Sequence, residues 1–283
     1  MHIALATAHG VEQRDQDDQP LLEAIRRAGH DGELHAWDDE LDWSGFDAVV
    51  IRSAWDYYRH RDRFVAWAED VGASTQLFNP ADVVRWNTHK SYLLELEERG
   101  APVVPTAWLA QGDRVDLGEL AAARDWREVV LKPTVGAAGE GVVRTAPAEG
   151  QEAFDALLAA GDTMVQPYLP AIETVGELSV VLIDGRVSHA VDKRPRPGGF
   201  RIQTQHGGRY TARENVSAEV DQLATWVVQA TGHDLLYARV DLVPDELGAW
   251  QVSELEATEP GLFLHLVDGP ADALVAALER RVG

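Results

Sequence analysis

The first 80 residues alternate between strand-like and helix-like hydrophobic patterns. His2–Thr7 is an apolar run of strand length. Pro20–Gly29 has apolar residues at helical spacing, with a proline at its start and a glycine at its end. Short apolar runs at Glu33–Trp37 and Asp47–Ile51 predict two further strands. This strand–helix–strand order predicts a parallel sheet with helices outside it, in an N-terminal domain of residues 1–80.

The pattern after this domain predicts two further lobes. Residues 81–168 form a predicted central lobe, in which a helix at Asn87–Arg99 carries Lys90. Residues 169–283 form a predicted C-terminal lobe of hairpins and amphipathic helices. Between them, Thr163–Pro170 is a short apolar segment closed by two prolines, as in linkers between lobes. The expected fold class is α/β, with lobes of α+β character.

A β-hairpin near the C-terminus is the first candidate site. Tyr237–Val243 and Trp250–Glu256 are short β-prone runs joined by a turn-rich segment. Side chains alternate along a strand, so Glu254 and Glu256 share one face, and Asp241 has a defined face on the other strand. If the register brings these faces together, three carboxylates meet, and a hard divalent cation such as Mg²⁺ would neutralise them. The alternative is a solvated acidic edge of a hairpin without a metal.

A loop of small residues separates two strands in the central lobe. Glu128–Lys132 is an apolar strand that ends in a lysine, and Val142–Thr145 is the strand that follows. The intervening Thr134–Gly141 is rich in glycine and alanine, so its backbone N–H groups can approach phosphate. The Gly-Lys-Ser/Thr ending of a P-loop is missing. The pattern therefore predicts a flexible cover over phosphate, formed by a hairpin.

Two polar loops carry further candidates. Arg52–Tyr58 follows the third predicted strand, at the carboxyl end where ligands bind in parallel sheets. Asp192–Tyr210 is a predicted loop with five cations and two glycine pairs, which suits an anion. The alternatives are aromatic side chains packed against the sheet in the first loop and a mobile surface loop in the second. The candidate substrate contacts in the first loop are Arg52, Ser53, Trp55 and Asp56.

The composition narrows the classes of function. The chain has 283 residues and a net charge of −22, which argues against nucleic acid or an anionic membrane as partner. It has no cysteine, which excludes thiolate catalysis, disulfides and cysteine-based metal sites. The N-terminus lacks the pattern of a signal peptide, and we find no apolar window long enough to span a membrane. We expect a cytoplasmic enzyme.

The lysines are few. The chain has 22 arginines but only three lysines, Lys90, Lys132 and Lys193. Lysine presents a compact point charge to phosphate, whereas arginine presents a planar fork. Codon bias that leaves three unrelated lysines is the alternative. Lys132 stands beside the glycine-rich loop and Lys193 lies in the basic loop, which favours the first explanation for these two.

The order of these motifs resembles the ATP-grasp superfamily and, within it, the bacterial glutathione synthetase branch. The resemblance covers roughly residue 75 to the C-terminus well, including the run from Gln166 through Arg209, and the N-terminal domain more loosely. Arg52–Tyr57 and Glu177–Pro195 are more similar to the cyclo-ligases that form D-cycloserine from O-ureido-D-serine. The resemblance implies an ATP-grasp fold preceded by an N-terminal parallel-sheet domain.

The resemblance also implies roles for individual residues. Asp241, Glu254 and Glu256 would bind Mg²⁺, with Mn²⁺ as an alternative, although the family often has asparagine at the position of Glu256. Four cations would stabilise the transferring phosphate or orient the substrate: Lys193, Arg194, Arg201 and Arg239. The positions that would hold ATP are Lys90, Lys132, Gly136, Gly139, Gly141, Gln166, Tyr168, Leu169 and Glu177.

The implied activity is an ATP-dependent carboxylate–amine ligase that works through an acyl phosphate and cyclises a small amino acid derivative. Leu178-Ser179 stands where glutathione synthetases carry a basic residue after the ribose-binding acid, which argues against glutathione synthesis itself. An intermolecular peptide or amide ligase and a non-catalytic ATP-binding regulatory module are the alternatives. The expected partner is a small amino acid, and the sequence leaves open whether the chain forms homo-oligomers.

Overall fold

The computed structural model describes residues 1–10 and 15–283, beginning with a four-stranded parallel sheet. Its strand order is β2-β1-β3-β4, and two helices cover its faces. This confirms the parallel sheet that the alternating pattern predicts, because parallel neighbours need a crossover connection. The elements are β1 (His2–Thr7), α1 (Asp18–Arg27), β2 (Asp31–Ala36), β3 (Ala48–Ile51), α2 (Arg61–Ser74) and β4 (Gln76–Phe78).

A four-stranded antiparallel sheet follows, in the order β5-β8-β6-β7. Two helices that precede it connect it to the first sheet, and two more pack on it through a core that lies between residues 107 and 165. The elements are α3 (Ala81–Asn87), α4 (Tyr92–Glu98), β5 (Ala107–Leu109), α5 (Leu117–Ala122), β6 (Val129–Pro133), β7 (Val143–Thr145), α6 (Gln151–Ala160) and β8 (Thr163–Pro167).

The third sheet has five antiparallel strands in the order β11-β10-β9-β12-β13. Its central strand β9 is buried along its whole length, as an apolar central strand requires. The elements are α7 (Ala171–Thr174), β9 (Glu177–Ile183), β10 (Arg186–Arg194), β11 (Arg209–Arg213), α8 (Ala218–Ala230), β12 (Tyr237–Pro244), β13 (Trp250–Glu256) and α9 (Pro270–Val282). No helix in the described ranges is long and apolar enough to cross a membrane.

The prediction of one helix at Asn87–Arg99 is wrong. Helix α3 ends at Asn87 and α4 begins at Tyr92, so Lys90 lies in the turn between them. The Asn87 side chain donates to the carbonyl of Leu255, and the Lys90 N–H donates to the carbonyl of Thr134. These tertiary hydrogen bonds replace helical ones, which a periodicity in the sequence does not show.

The predicted loop Asp192–Tyr210 is shorter than expected. Strand β10 continues to Arg194 and β11 begins at Arg209, with Lys193 paired to Tyr210. The sequence did not predict this end of β10, because its charged residues have low β-propensity and charged residues are usually exposed to solvent. Lys193 is in fact 3% exposed, because its ammonium group pairs with buried carboxylates.

The last helix returns to the first domain. Helix α9 packs against α1, and both contribute to one hydrophobic core together with strands of the first and third sheets. Arg27 of α1 donates to Asp272 of α9 over 2.7 Å. The N-terminal and C-terminal parts of the chain thus share a core, whereas most of the central sheet packs in a separate one and Met164 of β8 packs with the third sheet.

Candidate active site

A cavity of about 1230 Å³ is lined by strands of the second and third sheets and by loops from all three parts of the chain. It brings together most of the residues that the sequence predicts for nucleotide, metal and substrate. Their roles stay predictions. The predicted residues that line the cavity are Trp55, Asp56, Lys90, Lys132, Gly136, Gly139, Gly141, Gln166, Tyr168, Leu169, Glu177, Lys193, Arg201, Arg239, Asp241, Glu254 and Glu256.

Three carboxylates converge on the hairpin of β12 and β13. The antiparallel register places Asp241 opposite Glu254 and Arg239 opposite Glu256. One oxygen from each of the three carboxylates lies within 4.8 Å of the others. The register therefore places these side chains on one face of the sheet, and the predicted metal site depends on this arrangement.

Basic side chains surround this carboxylate cluster. The guanidinium of Arg239 donates to Asp241 over 2.8 Å and also to Glu256. The ammonium of Lys90 lies 2.9 Å from Glu254. The ammonium of Lys193 lies 3.4 Å from Asp241 and 3.0 Å from Glu177. Each carboxylate thus has a cationic partner.

Burial and these partners together shift the pKa values of Asp241 and Glu256 in opposite directions. Burial alone would raise the pKa of Asp241, but the Arg239 guanidinium and the Lys193 ammonium overcome it and hold that pKa well below its usual range. Burial raises the pKa of Glu256 to about 7, because one guanidinium does not compensate for it. The three converging carboxylates supply the hard oxygen donors that fit a divalent cation such as Mg²⁺.

Lys132 and the glycine loop form one wall of the cavity. No carboxylate of the described residues lies within 4.0 Å of the Lys132 ammonium, and burial lowers its pKa. Gly139 and Gly141 have φ of +72° and +74°, a region that side chains rarely adopt. A Cβ at Gly139 would also lie 2.9 Å from the Gln203 amide. The loop therefore needs glycine for its shape, independently of any nucleotide.

The predicted adenine-binding linker lies at the end of β8. Gln166 donates to the Thr106 hydroxyl over 2.9 Å, and Tyr168 donates to Glu173 over 2.6 Å. The Arg144 guanidinium stacks on the Tyr168 ring, 3.5 Å from its centroid. These contacts fix the linker side chains at the cavity wall.

Three predicted residues do not face the cavity. Arg194 is exposed at the end of β10 and does not line the cavity, so its predicted contact with phosphate lacks structural support. Arg52 and Ser53 are fully buried behind the cavity wall, and the expectation that they face a substrate is corrected. Arg52 donates to the carbonyl of Pro260 over 3.1 Å, and Ser53 donates to Asp18. Their strand ends where expected, but the side chains turn inward to support other segments.

Several cavity residues were missed in the sequence. Glu259 lines the cavity three residues after the hairpin, in the run Glu259-Pro-Gly, and its closeness to Glu254 and Glu256 was a usable signal. Ser179 donates to Asp241, and Ser253 donates to the carbonyl of Asp241 over 3.1 Å. Isolated serines on strands carry no such signal.

Comparisons with known proteins cover the whole chain. Residues 3–79 match the model of the D-cycloserine synthetase DcsG N-terminal domain, and residues 104–262 match that of the prokaryotic glutathione synthetase ATP-grasp domain. The cycloserine biosynthesis protein DcsG of Streptomyces lavendulae is 36% identical, over 99% of this chain and 98% of that protein. The chain belongs to the ATP-grasp family. The predicted family and fold class are confirmed.

Other ATP-grasp proteins agree with this assignment. A glutathione synthetase of Prochlorococcus marinus is 33% identical, over 72% of this chain and 62% of that protein. The crystal structure of D-cycloserine synthetase DcsG has a TM-score of 0.91 and 32% identity, with both chains fully covered. The ATP-grasp ligase PsnB, at 21% identity and a TM-score of 0.67, shares the fold. This chain is an ATP-grasp ligase, an enzyme of the class that forms C–N bonds and converts ATP to ADP and phosphate.

Proposed function

We propose that this ATP-grasp ligase closes a ring in a small amino acid derivative, forming D-cycloserine from O-ureido-D-serine. The observation that carries the proposal is the match of residues 3–79 to the DcsG N-terminal domain. That domain contributes Trp55 and Asp56 to the cavity wall. The part of the chain that precedes the glutathione synthetase match thus resembles a cyclo-ligase.

ATP would occupy the part of the cavity between the central and C-terminal lobes. Lys90 and Lys132 would neutralise its phosphates, and backbone N–H groups of Gly136–Gly141 would cover them. Gln166, Tyr168 and Leu169 would contact the adenine. Glu177 would bind the ribose, although Lys193 now holds its carboxylate at 3.0 Å.

The carboxylate cluster would hold the divalent cation. Asp241, Glu254 and Glu256 would supply oxygen ligands for Mg²⁺, with Mn²⁺ as an alternative. The cation would neutralise charge on the phosphates of bound ATP. Arg239 already orients two of these carboxylates through its guanidinium, so the ligands are positioned before any ion binds.

The proposed chemistry has two steps. A carboxylate oxygen of the amino acid attacks the γ-phosphorus of ATP, the bond to the β-phosphate oxygen breaks, and ADP leaves. A nitrogen of the same molecule then attacks the acyl phosphate carbon, phosphate leaves and the nitrogen loses a proton. Arg201 and Arg239 would neutralise the charge on the acyl phosphate, and Lys193 would hold Arg239's partner Asp241 in place. No protein nucleophile is needed.

The conversion of O-ureido-D-serine by these two steps balances in atoms. Its nitrogen that carries the carbamoyl group closes the ring on the carboxyl carbon, and the carbamoyl group is lost as carbon dioxide and ammonia. The whole reaction consumes O-ureido-D-serine, ATP and water, and it yields D-cycloserine, carbon dioxide, ammonia, ADP and phosphate. A small amino acid as partner and a cytoplasmic location belong to this proposal, and the oligomeric state stays open.

An assay with ATP, Mg²⁺ and a panel of amino acids that includes O-ureido-D-serine tests the proposal, with organic and nucleotide products identified by mass. We expect ADP, phosphate and D-cycloserine only with O-ureido-D-serine. Asp241→Asn should lower turnover by about 100-fold or more, because the cluster loses a charge that positions phosphate. Glu246→Gln, on the exposed turn of the same hairpin, is the matched control and should leave turnover unchanged.

The match of residues 104–262 to the glutathione synthetase ATP-grasp domain favours a second candidate, an intermolecular amide ligase. A product that joins two substrates would support this candidate and contradict the cyclo-ligase. AMP and pyrophosphate as products would contradict both, because the acyl phosphate route releases ADP.

A further inference from the structure

The segment that follows the metal-site hairpin has an unusually fixed backbone. From Ala257 to Leu262, six consecutive carbonyl oxygens each lie 2.7–3.1 Å from a side-chain donor. In addition, Asp17 accepts from the N–H groups of Leu262 and Phe263 over 2.8 and 2.7 Å. In chain order from Ala257, the donors to the carbonyls are Asn79, Tyr237, Trp55, Arg52, Arg239 and His189.

These donors come from two separate parts of the fold. Arg52, Trp55 and Asn79 belong to the N-terminal domain, and the other three belong to strands of the third sheet. Non-repetitive segments usually direct their backbone groups to water, so six successive carbonyls met by side chains hold this backbone in one conformation. The buried Arg52, which the sequence suggested as a substrate contact, contributes to this arrangement.

Glu259 lies in the middle of this segment, and its side chain is the exception to the pairing. The residue is 8% exposed and lines the cavity. Within the described ranges, no other residue donates a hydrogen bond to its carboxylate, and no basic nitrogen lies within 4.0 Å of it. Asp241, Glu254 and Glu256 each have such a partner.

A buried carboxylate without a partner is costly, and a cation supplied by a ligand would remove that cost. Burial accordingly raises the pKa of Glu259 to about 8. An α-amino acid whose carboxylate is being activated still carries an ammonium group that must be bound and kept out of the reaction. A fixed acid near the metal-site carboxylates and beside the Trp55 wall has the chemistry to bind it.

We propose that the Glu259 carboxylate binds the amino group of the amino acid substrate, and that the six-carbonyl platform holds it in position. This inference rests on the proposed function for the class of substrate. It makes Glu259 a determinant of specificity for amino acids over carboxylic acids that lack an amine. The donors beneath the platform, Trp55 and Arg52 among them, are positioning residues.

The test compares O-ureido-D-serine with its deamino analogue 3-(ureidooxy)propanoate. In the wild-type enzyme, removal of the amine should lower kcat/KM by about 10- to 100-fold, the range of a hydrogen bond between charged groups. Glu259→Gln should lower kcat/KM for O-ureido-D-serine by a similar factor, mainly through KM, and should leave the deamino analogue unchanged. Glu259→Asp, which keeps the charge, should recover part of the loss. Asp268→Asn, an exposed acid away from the cavity, is the control.

Calorimetric binding of the same two ligands, with ADP and Mg²⁺ present, separates this inference from the proposed function. If wild-type protein prefers the amine and Glu259→Gln abolishes the preference without any D-cycloserine being formed, the inference stands and the cyclo-ligase proposal fails. If D-cycloserine is formed but Glu259→Gln weakens both ligands equally, or neither, the inference fails alone. Wild-type protein that neither binds nor converts either ligand overturns both.

Discussion

Asp18 is a buried carboxyl group outside the candidate active site, and its environment gives the chain a pH dependence. Burial and the nearby Asp15 carboxylate raise its pKa to about 7, and only the Ser53 hydroxyl donates to it among the described residues. Its ordinary value is 3.8. The folded protein therefore holds a proton here that the unfolded chain releases at lower pH.

The sign of the effect follows from linkage. A carboxyl whose pKa is raised by folding stabilises the fold fully below its unfolded value, and this contribution disappears as the pH rises through about 7. Asp18→Asn cannot ionise, so the variant and wild type should have similar free energies of unfolding at pH 4. At pH 8 the variant should be the more stable by about 1 kcal/mol or more, since each unit of pKa is worth about 1.4 kcal/mol.

Urea unfolding at both values of pH measures this difference. Asp268→Asn controls for the change in net charge, because that residue is exposed. Equal stability of wild type and Asp18→Asn at pH 8 would show that Asp18 is ionised at no cost in the folded state.

At the residue scale, the sequence identifies chemical types better than orientations. Arg52 and Trp55 stand in one polar loop with the same apparent role, yet Trp55 reaches the cavity and Arg52 is 0% exposed. Which way a side chain turns at the end of a strand depends on what packs behind it, here Pro260 from 208 positions further along the chain. Local patterns contain no such information. The residues around Glu259 are likewise distant in the sequence, so the lack of a partner for its carboxylate among the described residues was not predictable.

At the scale of elements, the hairpin of β12 and β13 was predictable because alternation places Asp241, Glu254 and Glu256 on defined faces. Its detail was not. The register shifts after Asp241, so Ser253 is an extra residue on β13 that donates to the Asp241 carbonyl. Bulges depend on the partner strand and leave no mark on the periodicity of one strand.

A substitution in the glycine loop tests the assignment of this loop to the phosphates of ATP. Gly139→Ala places a methyl group at a φ of +72° and 2.9 Å from the Gln203 side chain. The left-handed backbone then becomes strained even if the Gln203 side chain moves away, so the KM for ATP should rise by about 10-fold, in line with a cost of about 1–2 kcal/mol for a left-handed residue. The KM for the amino acid should change little. Steady-state kinetics with each substrate varied in turn measures both values.

Gly112→Ala is the matched control for that variant. Gly112 has a φ of +83°, so it carries the same backbone penalty, but no atom lies within 4 Å of the added Cβ and the residue is outside the active-site cavity. Its KM for ATP should stay unchanged. If both variants raise the KM for ATP equally, the effect comes from reduced stability and the assignment of the loop to phosphate loses its support.

At the scale of the whole molecule, the described chain has three sheets, but its hydrophobic cores do not correspond one to one to these sheets. The proposed division at 1–80, 81–168 and 169–283 stays a prediction, since the segments share packing. Helices α1 and α9 lie in one core that joins the first and third sheets, whereas most of the central sheet packs in a core of residues between 107 and 165. Met164 of β8 instead joins a core with the third sheet. Sequence patterns indicate which positions are apolar, but they do not show which distant segments share a core.

This arrangement predicts two cooperative units. Leu117 is fully buried in the central core, and Leu274 is 2% exposed in the core shared by α1 and α9. Replacing either with alanine should destabilise its own unit by about 2–5 kcal/mol. Leu117→Ala should accelerate amide hydrogen exchange only in peptides from 107–165. Leu274→Ala should accelerate exchange in β1 and α1 as well as in the third sheet, because the N-terminal and C-terminal parts unfold together.

Hydrogen exchange followed by mass spectrometry resolves these regions, and Leu247→Ala is the control because Leu247 is 94% exposed and packs in no core. Faster exchange confined to the C-terminal lobe in Leu274→Ala would contradict the shared unit. The coupling matters for activity, since the proposed anchor Glu259 receives its support from Trp55 and Arg52 across this same junction.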